Sequence, residues 1–186
     1  MANVQDPELR RVLDVAAIQE LLLRYGRGCD RMDRELLTSL FHPDAIDHHG
    51  TFNGPAHEFV DYALTVALPR YRATEHYLSN CTVEVSGDVA YAETYLVATH
   101  VKDADGGQLR VDTSHGRLVD YLERRDGRWG IVERTFLHDW DQSELVTPHP
   151  AWSGVFASGS RSREDPSYRR HAPADRRPGP LAGGDS

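Results

Sequence analysis

The stretch LLLRYGRGCDRMD, residues 21–33, holds a carboxylate with no structural duty. Asp33 begins DRELLTSLF and suits the N-cap of a short helix, so Asp30 is not needed there and is available for chemistry. In TEHYLSNC, alternation places His76, Leu78 and Asn80 on one face of a strand, the mixture expected of a pocket wall. Asn80 could orient a substrate oxygen or pair with a neighbouring strand. On the last strand Arg134 alternates with Val132, Phe136, His138 and Trp140, and a guanidinium on such a face requires either a ligand or an acidic partner inside the fold. The run HPDAIDHHG offers His42, Asp44, Asp47, His48 and His49 as metal ligands. Its spacing matches no specific ligand motif and two-residue alternation splits it between faces, so no metal is expected.

These side chains must be carried by a small set of elements. Val15, Ile18, Leu22 and Tyr25 repeat at helical spacing, predicting an amphipathic helix over residues 9–26 that loosens at Gly26 and Gly28. A short helix from Asp33, a short strand around AIDH and a third helix opened by Gly54–Pro55 and stopped by Pro69 follow. Four stretches rich in Val, Thr, Tyr and Leu then read as strands, with hairpin connectors at residues 86–88, 103–107 and 125–127. Helices followed by an antiparallel meander make an α+β chain. From Thr147 onward Pro, Ser, Arg and Gly dominate. The expected division is a folded domain over residues 1–146 and a partly disordered tail over 147–186, with Trp152, Val155 and Phe156 as candidates for docking.

The whole chain narrows the functional classes. With 186 residues it forms one domain, and a net charge of −8 without charge blocks argues against nucleic acid or an anionic membrane as partner. Cys29 and Cys81 lie far apart, the N-terminus lacks a signal-peptide core, and no apolar run approaches the roughly 20 residues of a membrane span, so a cytoplasmic protein is expected. No Gly-rich phosphate loop, nucleophile elbow or HExxH motif occurs.

In order and spacing, LLLRYGRGCDRMD, LFHPDAI, NGPAHEFV, EHYLSNCTVEVSGDVAYAETY, LVDYLERRDGRWGIVERT and HDW resemble the SnoaL-like branch of the nuclear transport factor two-like superfamily over residues 9–142. The resemblance implies a cone-shaped α+β barrel, three N-terminal helices packed on a curved antiparallel sheet around an apolar pocket. It also implies a homodimer or homotrimer formed through the outer sheet face that carries Tyr91, Tyr95 and Tyr121. His115, Arg117, Asp120 and Arg124 belong to that solvated or interface surface. Members with a matching tyrosine, aspartate and histidine are similar to scytalone dehydratase, bile-acid dehydratase and hexachlorocyclohexane dehydrochlorinase, which are cofactor-free eliminating enzymes. Carried over, Tyr25, Asp30, His76 and Arg134 become the catalytic set, and His100 a substrate contact or second acid or base; strand alternation adds Asn80, Leu78 and Phe136 as substrate contacts. Tyr25 and Asp30 lie about 140° apart on an unbroken helix, so the loosened turn would have to bring them together.

In that reading Asp30 accepts the Nδ1–H of His76, leaving Nε2 to remove a proton beside a carbonyl or leaving group, while Tyr25 and Arg134 polarise the oxygen that gains charge. Tyr25 also completes the core stripe, and Arg134 equally suits a salt bridge within the cone. The expected function is dehydratase-like elimination on a small hydrophobic cyclic or aromatic substrate; isomerisation or polyketide cyclisation would use the same parts. The alternatives from other classes are the small structural subunit of a ring-hydroxylating dioxygenase and a ligand-binding protein without catalysis.

Overall fold

The computed structural model describes residues 6–149 and 154–169. Trp152, named above for docking, and residues 170–186 of the tail expected to be partly disordered lie outside the described residues. Helix α1 (Pro7–Asp30) starts at Asp6, whose carboxylate accepts the Glu8 N–H at 2.9 Å, and it buries Ile18, Leu22 and Tyr25. It does not loosen at its glycines but runs unbroken to Asp30. Those glycines serve close packing. A Cβ on Gly26 would lie 2.7 Å from the His76 carbonyl oxygen, and one on Gly28 would lie 2.7 Å from the Leu37 side chain.

Met32 then takes a left-handed turn (φ 52°), and Asp33 caps α2 (Arg34–Thr38) by accepting the Leu36 N–H at 3.1 Å. The helix is shorter than DRELLTSLF suggests because β1 (Phe41–His49) already begins at Phe41. Pro43 lies where the β1 ladder is interrupted between Phe41 and Ile46, so its missing N–H removes no sheet bond. A tight turn leads into β2 (Phe52–Pro55), too short for its alternation to be visible in sequence. Helix α3 (Ala56–Tyr62) follows, with Pro55 as its N-cap instead of in its first turn, and continues through wider and tighter turns to Arg70.

The strands β3 (Ala73–Ser86), β4 (Val89–Asp103), β5 (Leu109–Arg125) and β6 (Arg128–Val146) form the expected meander. The sheet order is β2-β1-β6-β5-β4-β3. It is mixed, not antiparallel throughout, because β1 runs parallel to β6 with Asp47 opposite Arg134. No hairpin joins those two strands; α3 and the other meander strands lie between them, which leaves the parallel orientation open. The molecule is therefore α+β, with three N-terminal helices, one of them very short, on a curved six-stranded sheet. Leu118, Leu122 and Ile131 of the sheet and Ile18 and Leu22 of α1 are fully buried in the core.

In the described tail Val155 and Phe156 are largely exposed, and polar groups dock on the domain. Arg161 donates to the carbonyls of Leu68 (2.9 Å) and Tyr71, Arg163 to Glu35 (2.6 Å), and the Tyr168 hydroxyl to Asp33 (2.6 Å). No described helix is long and apolar enough to cross a membrane.

Gly26→Ala should destabilise the protein by about 1–3 kcal/mol through overpacking against β3, although alanine is the better helix former by about 1 kcal/mol. Urea unfolding measures this. A variant as stable as the parent would show that α1 does not depend on that approach.

Candidate functional site

Asp30 ends α1 where the helix meets β3. Its Oδ1 accepts the His76 Nδ1–H at 2.8 Å and the Thr74 hydroxyl at 2.9 Å, and its Oδ2 accepts the His76 backbone N–H at 3.1 Å. All three donors come from one strand, so the carboxylate and the imidazole hold a single relative orientation. A carboxylate only accepts; Nδ1 therefore carries the hydrogen and Nε2 is the basic nitrogen. The side chains are 7 % and 15 % exposed for His76 and Asp30, enough cover to exclude most water.

The helix being unbroken, Tyr25 and Asp30 approach His76 separately. Asp30 takes the ring nitrogen, and the Tyr25 ring meets the imidazole edge-on with centroids 6.2 Å apart. Burial, helped by the neighbouring Cys29, raises the Tyr25 hydroxyl well above its usual range, and burial pushes the Cys29 thiol up to about 12. Tyr25 is thus a hydrogen-bond donor that keeps its proton.

These groups face a cavity of about 160 Å³. Tyr25 and Cys29 line it from α1, His49 from β1, Phe59 and Tyr62 from α3, His76 from β3, Leu96, Ala98 and His100 from β4, Ser114 from β5 and Phe136 from β6. His100 stands edge-on to His76 at 5.5 Å and tilts against Tyr71 at 4.7 Å. Burial, and then the proximity of His76, pushes His100 down to about 4, so it is neutral at neutral pH. A larger surface hollow of about 460 Å³ borders Phe41, His42 and His57, but His42 there bonds the Glu123 carbonyl and no acid–base pair opens into it.

The structure brings Tyr25, Asp30, His76, His100 and Phe136 to the cavity or its wall, and it removes three of the expected residues. Arg134 is fully buried and does not line this cavity. Its Nε and Nη2 donate to the two oxygens of Asp120 at 2.7 and 3.0 Å. Burial works against that charge, and the two-pronged contact with Asp120 outweighs it and keeps the guanidinium protonated. Asp120 accordingly belongs to the interior and not to the outer surface. Asn80 is exposed, with φ 46°, at a bulge between Ser79 and Thr82 that breaks the alternation. Leu78 packs into the core beside Gly26 and not against the cavity. His138 and Trp140 also lie outside: a register shift at His115/Gly116 turns the exposed Trp140 onto the half-buried His115 ring, 3.8 Å away.

The run HPDAIDHHG does split between faces. His48 points outward to Asn53 (3.0 Å) and Asp44 to Arg125, whereas Asp47 is fully buried and His49 lines the cavity. Among the described residues no group of three or more His, Cys, Asp or Glu side chains is placed to hold a metal ion. Asp47 and His49 were not among the expected site residues. Their signal was the two-residue spacing that puts both on one face of β1. Cys29 and Ser114 also line the cavity and carried no such signal.

A curved mixed sheet wrapped by N-terminal helices, with a histidine and aspartate paired at an apolar cavity, defines a small α+β pocket protein of the nuclear transport factor two-like fold. Residues 10–135 match the SnoaL-like domain, and the chain belongs to that family. No curated protein matches the sequence. Among solved structures, a type 2 hexachlorocyclohexane dehydrochlorinase (LinA) is 24 % identical with a TM-score of 0.68, the match covering 80 % of this chain and 99 % of the other. A candidate scytalone dehydratase from Novosphingobium aromaticivorans is 20 % identical with a TM-score of 0.62, covering 75 % and 95 %. A Mycobacterium tuberculosis protein of unknown function is 24 % identical with a TM-score of 0.63, covering 74 % and 78 %. At these identities the likeness is one of fold.

His100 gives a prediction with a definite sign. Its folded value near 4 lies below the unfolded value near 6.5, so the stability it contributes is complete above about pH 6.5 and is lost as pH falls towards 4. In His100→Gln this acid-side loss should shrink by on the order of 2 kcal/mol, read from denaturant midpoints between pH 7 and 4. An unchanged acid slope would contradict the burial of a neutral ring.

Proposed function

We propose that this chain is a lyase that needs no cofactor and removes water from a small, mostly apolar, single-ring substrate. One observation carries the reading: an imidazole oriented by a carboxylate at 2.8 Å presents its basic nitrogen at the wall of an apolar cavity. His76 Nε2 takes a proton from the carbon next to a carbonyl, Tyr25 donates a hydrogen bond to the oxygen that gains charge, and the leaving group departs from the neighbouring carbon. His100 and Ser114 supply polar contacts to substrate oxygens, and Phe59 and Phe136 the apolar walls. Arg134 holds the inner sheet together behind this wall and takes no part in the reaction.

The size of the cavity supports a single ring, since apolar cavities of about 150 Å³ take up benzene. Dehydrochlorinase and dehydratase, the activities named for two of the structural neighbours, are both eliminations, which supports the class though not the substrate. An isomerase or cyclase would remove the same proton and release no water.

In deuterium oxide the protein should exchange the proton beside the carbonyl of 3-hydroxycyclohexanone and form the enone. His76→Ala should lower both rates by about 10²–10⁴, and Asp30→Asn should lower them in the same direction. Proton NMR follows the exchange and ultraviolet absorbance the enone. If His76→Ala matched the parent in both, His76 would not be the base; a ligand bound without turnover by parent and variant alike would mark a binding protein.

A further inference from the structure

The cavity carries a second aspartate–histidine pair. The His49 Nδ1 lies 3.4 Å from Asp47 Oδ1, and the His49 ring is clamped between Phe59 and Phe136, with centroids 4.5 and 4.9 Å away and planes tilted by 27° and 14°. Asp47 is fully buried, and neither of its oxygens, nor the His49 Nδ1, nor the Arg134 Nη1 has a hydrogen-bond partner among the described residues. The buried charges near Asp47 are one guanidinium, Arg134, and one further carboxylate, Asp120. One cation against two anions leaves Asp47 without a matched charge, and the His49 imidazole beside it is the group placed to share a proton with it. Two aromatic faces on either side hold that ring in one orientation.

His49 and His76 also stand on opposite edges of the site. β1 and β3 are separated in the sheet by β6, β5 and β4, on the order of 19 Å on a flat sheet at about 4.8 Å per strand. Both rings line one cavity because the sheet curls, so a substrate between them is approached from two sides.

We propose that His49 is the acid of the pocket, with Asp47 as its positioning residue, and that the leaving group is a hydroxyl. This rests on the elimination proposed above. His76 Nε2 takes the proton and the C–H electron pair moves into an enolate whose oxygen accepts the Tyr25 hydrogen bond; as the carbonyl re-forms, the pair becomes the new C=C bond. The C–O bond breaks with its pair on oxygen, the Nε2 proton of His49 joins that oxygen, and water leaves. His76 then loses a proton to solvent and His49 regains one. A hydroxyl needs this proton, whereas a halide leaves as a stable anion without it.

The test compares 3-hydroxycyclohexanone with 3-chlorocyclohexanone on the full-length protein. His49→Gln, and His49→Phe, which keeps an aromatic ring in the clamp, should slow loss of water by about 10²–10⁴ while loss of chloride changes less than about tenfold. Asp47→Asn should slow loss of water and displace the acid limb of its pH profile, with proton exchange retained. Equal effects on the two substrates, or none in either His49 variant, would overturn the assignment while leaving His76 as base. A parent protein that neither exchanges protons nor eliminates from either compound would overturn the elimination reading and this inference with it.

Discussion

A helix can lie on a sheet only as closely as its side chains permit, and at Gly26 a methyl group would already collide with the His76 carbonyl oxygen at 2.7 Å. That closeness brings the end of α1 within hydrogen-bond reach of β3. Asp30, one turn beyond Gly26, then finds the backbone N–H and ring nitrogen of His76 and the hydroxyl of Thr74. Had α1 stood off by the thickness of a side chain, the same residues would form two separate solvated groups. The orientation of the imidazole is thus a packing result before it is an electrostatic one.

A second constraint works one layer deeper. Arg134, Asp120 and Asp47 are fully buried on adjacent strands, where charges are costly unless matched. The fork of Arg134 against Asp120 ties β6 to β5, and Asp47 sits opposite Arg134 on β1. Removing one member would strand the others in a medium of low polarity. Phe136, two residues after Arg134, is a wall of the cavity, so the ionic layer and the apolar layer of the site are fixed by the same strand.

Much of this was legible in the chain itself. Alternation and the turns at Gly87 and Asp126–Gly127 marked the meander, Asp33 marked a helix start, and the family resemblance pointed to Asp30 and His76. The losses have physical causes. Strand alternation predicts a face only while register holds, and the shifts at Ser79/Thr82 and His115/Gly116 moved Asn80 and Trp140 away from it. The partner of Arg134 lies on another strand, where register and not spacing decides the contact. Glycine in a helix reads as a weak point, and only the neighbouring strand reveals that Gly26 is an opening for close approach. The docking of Arg161, Arg163 and Tyr168 depends on carbonyls and carboxylates distant in sequence and left no local pattern.

The parallel pairing of β1 with β6 has a consequence for how the chain acquires its shape. Local hairpins can close β3 through β6 as soon as each is made, but β1 waits for the last strand before it has a neighbour on that side. Closing so long a loop is slow relative to forming a hairpin. During synthesis, β1 and the ring clamp of His49 must therefore await the emergence of β6 from the ribosome, which makes the pocket the last part of the molecule to be completed and leaves a fragment ending before Arg128 without the strand that joins β1 to β5.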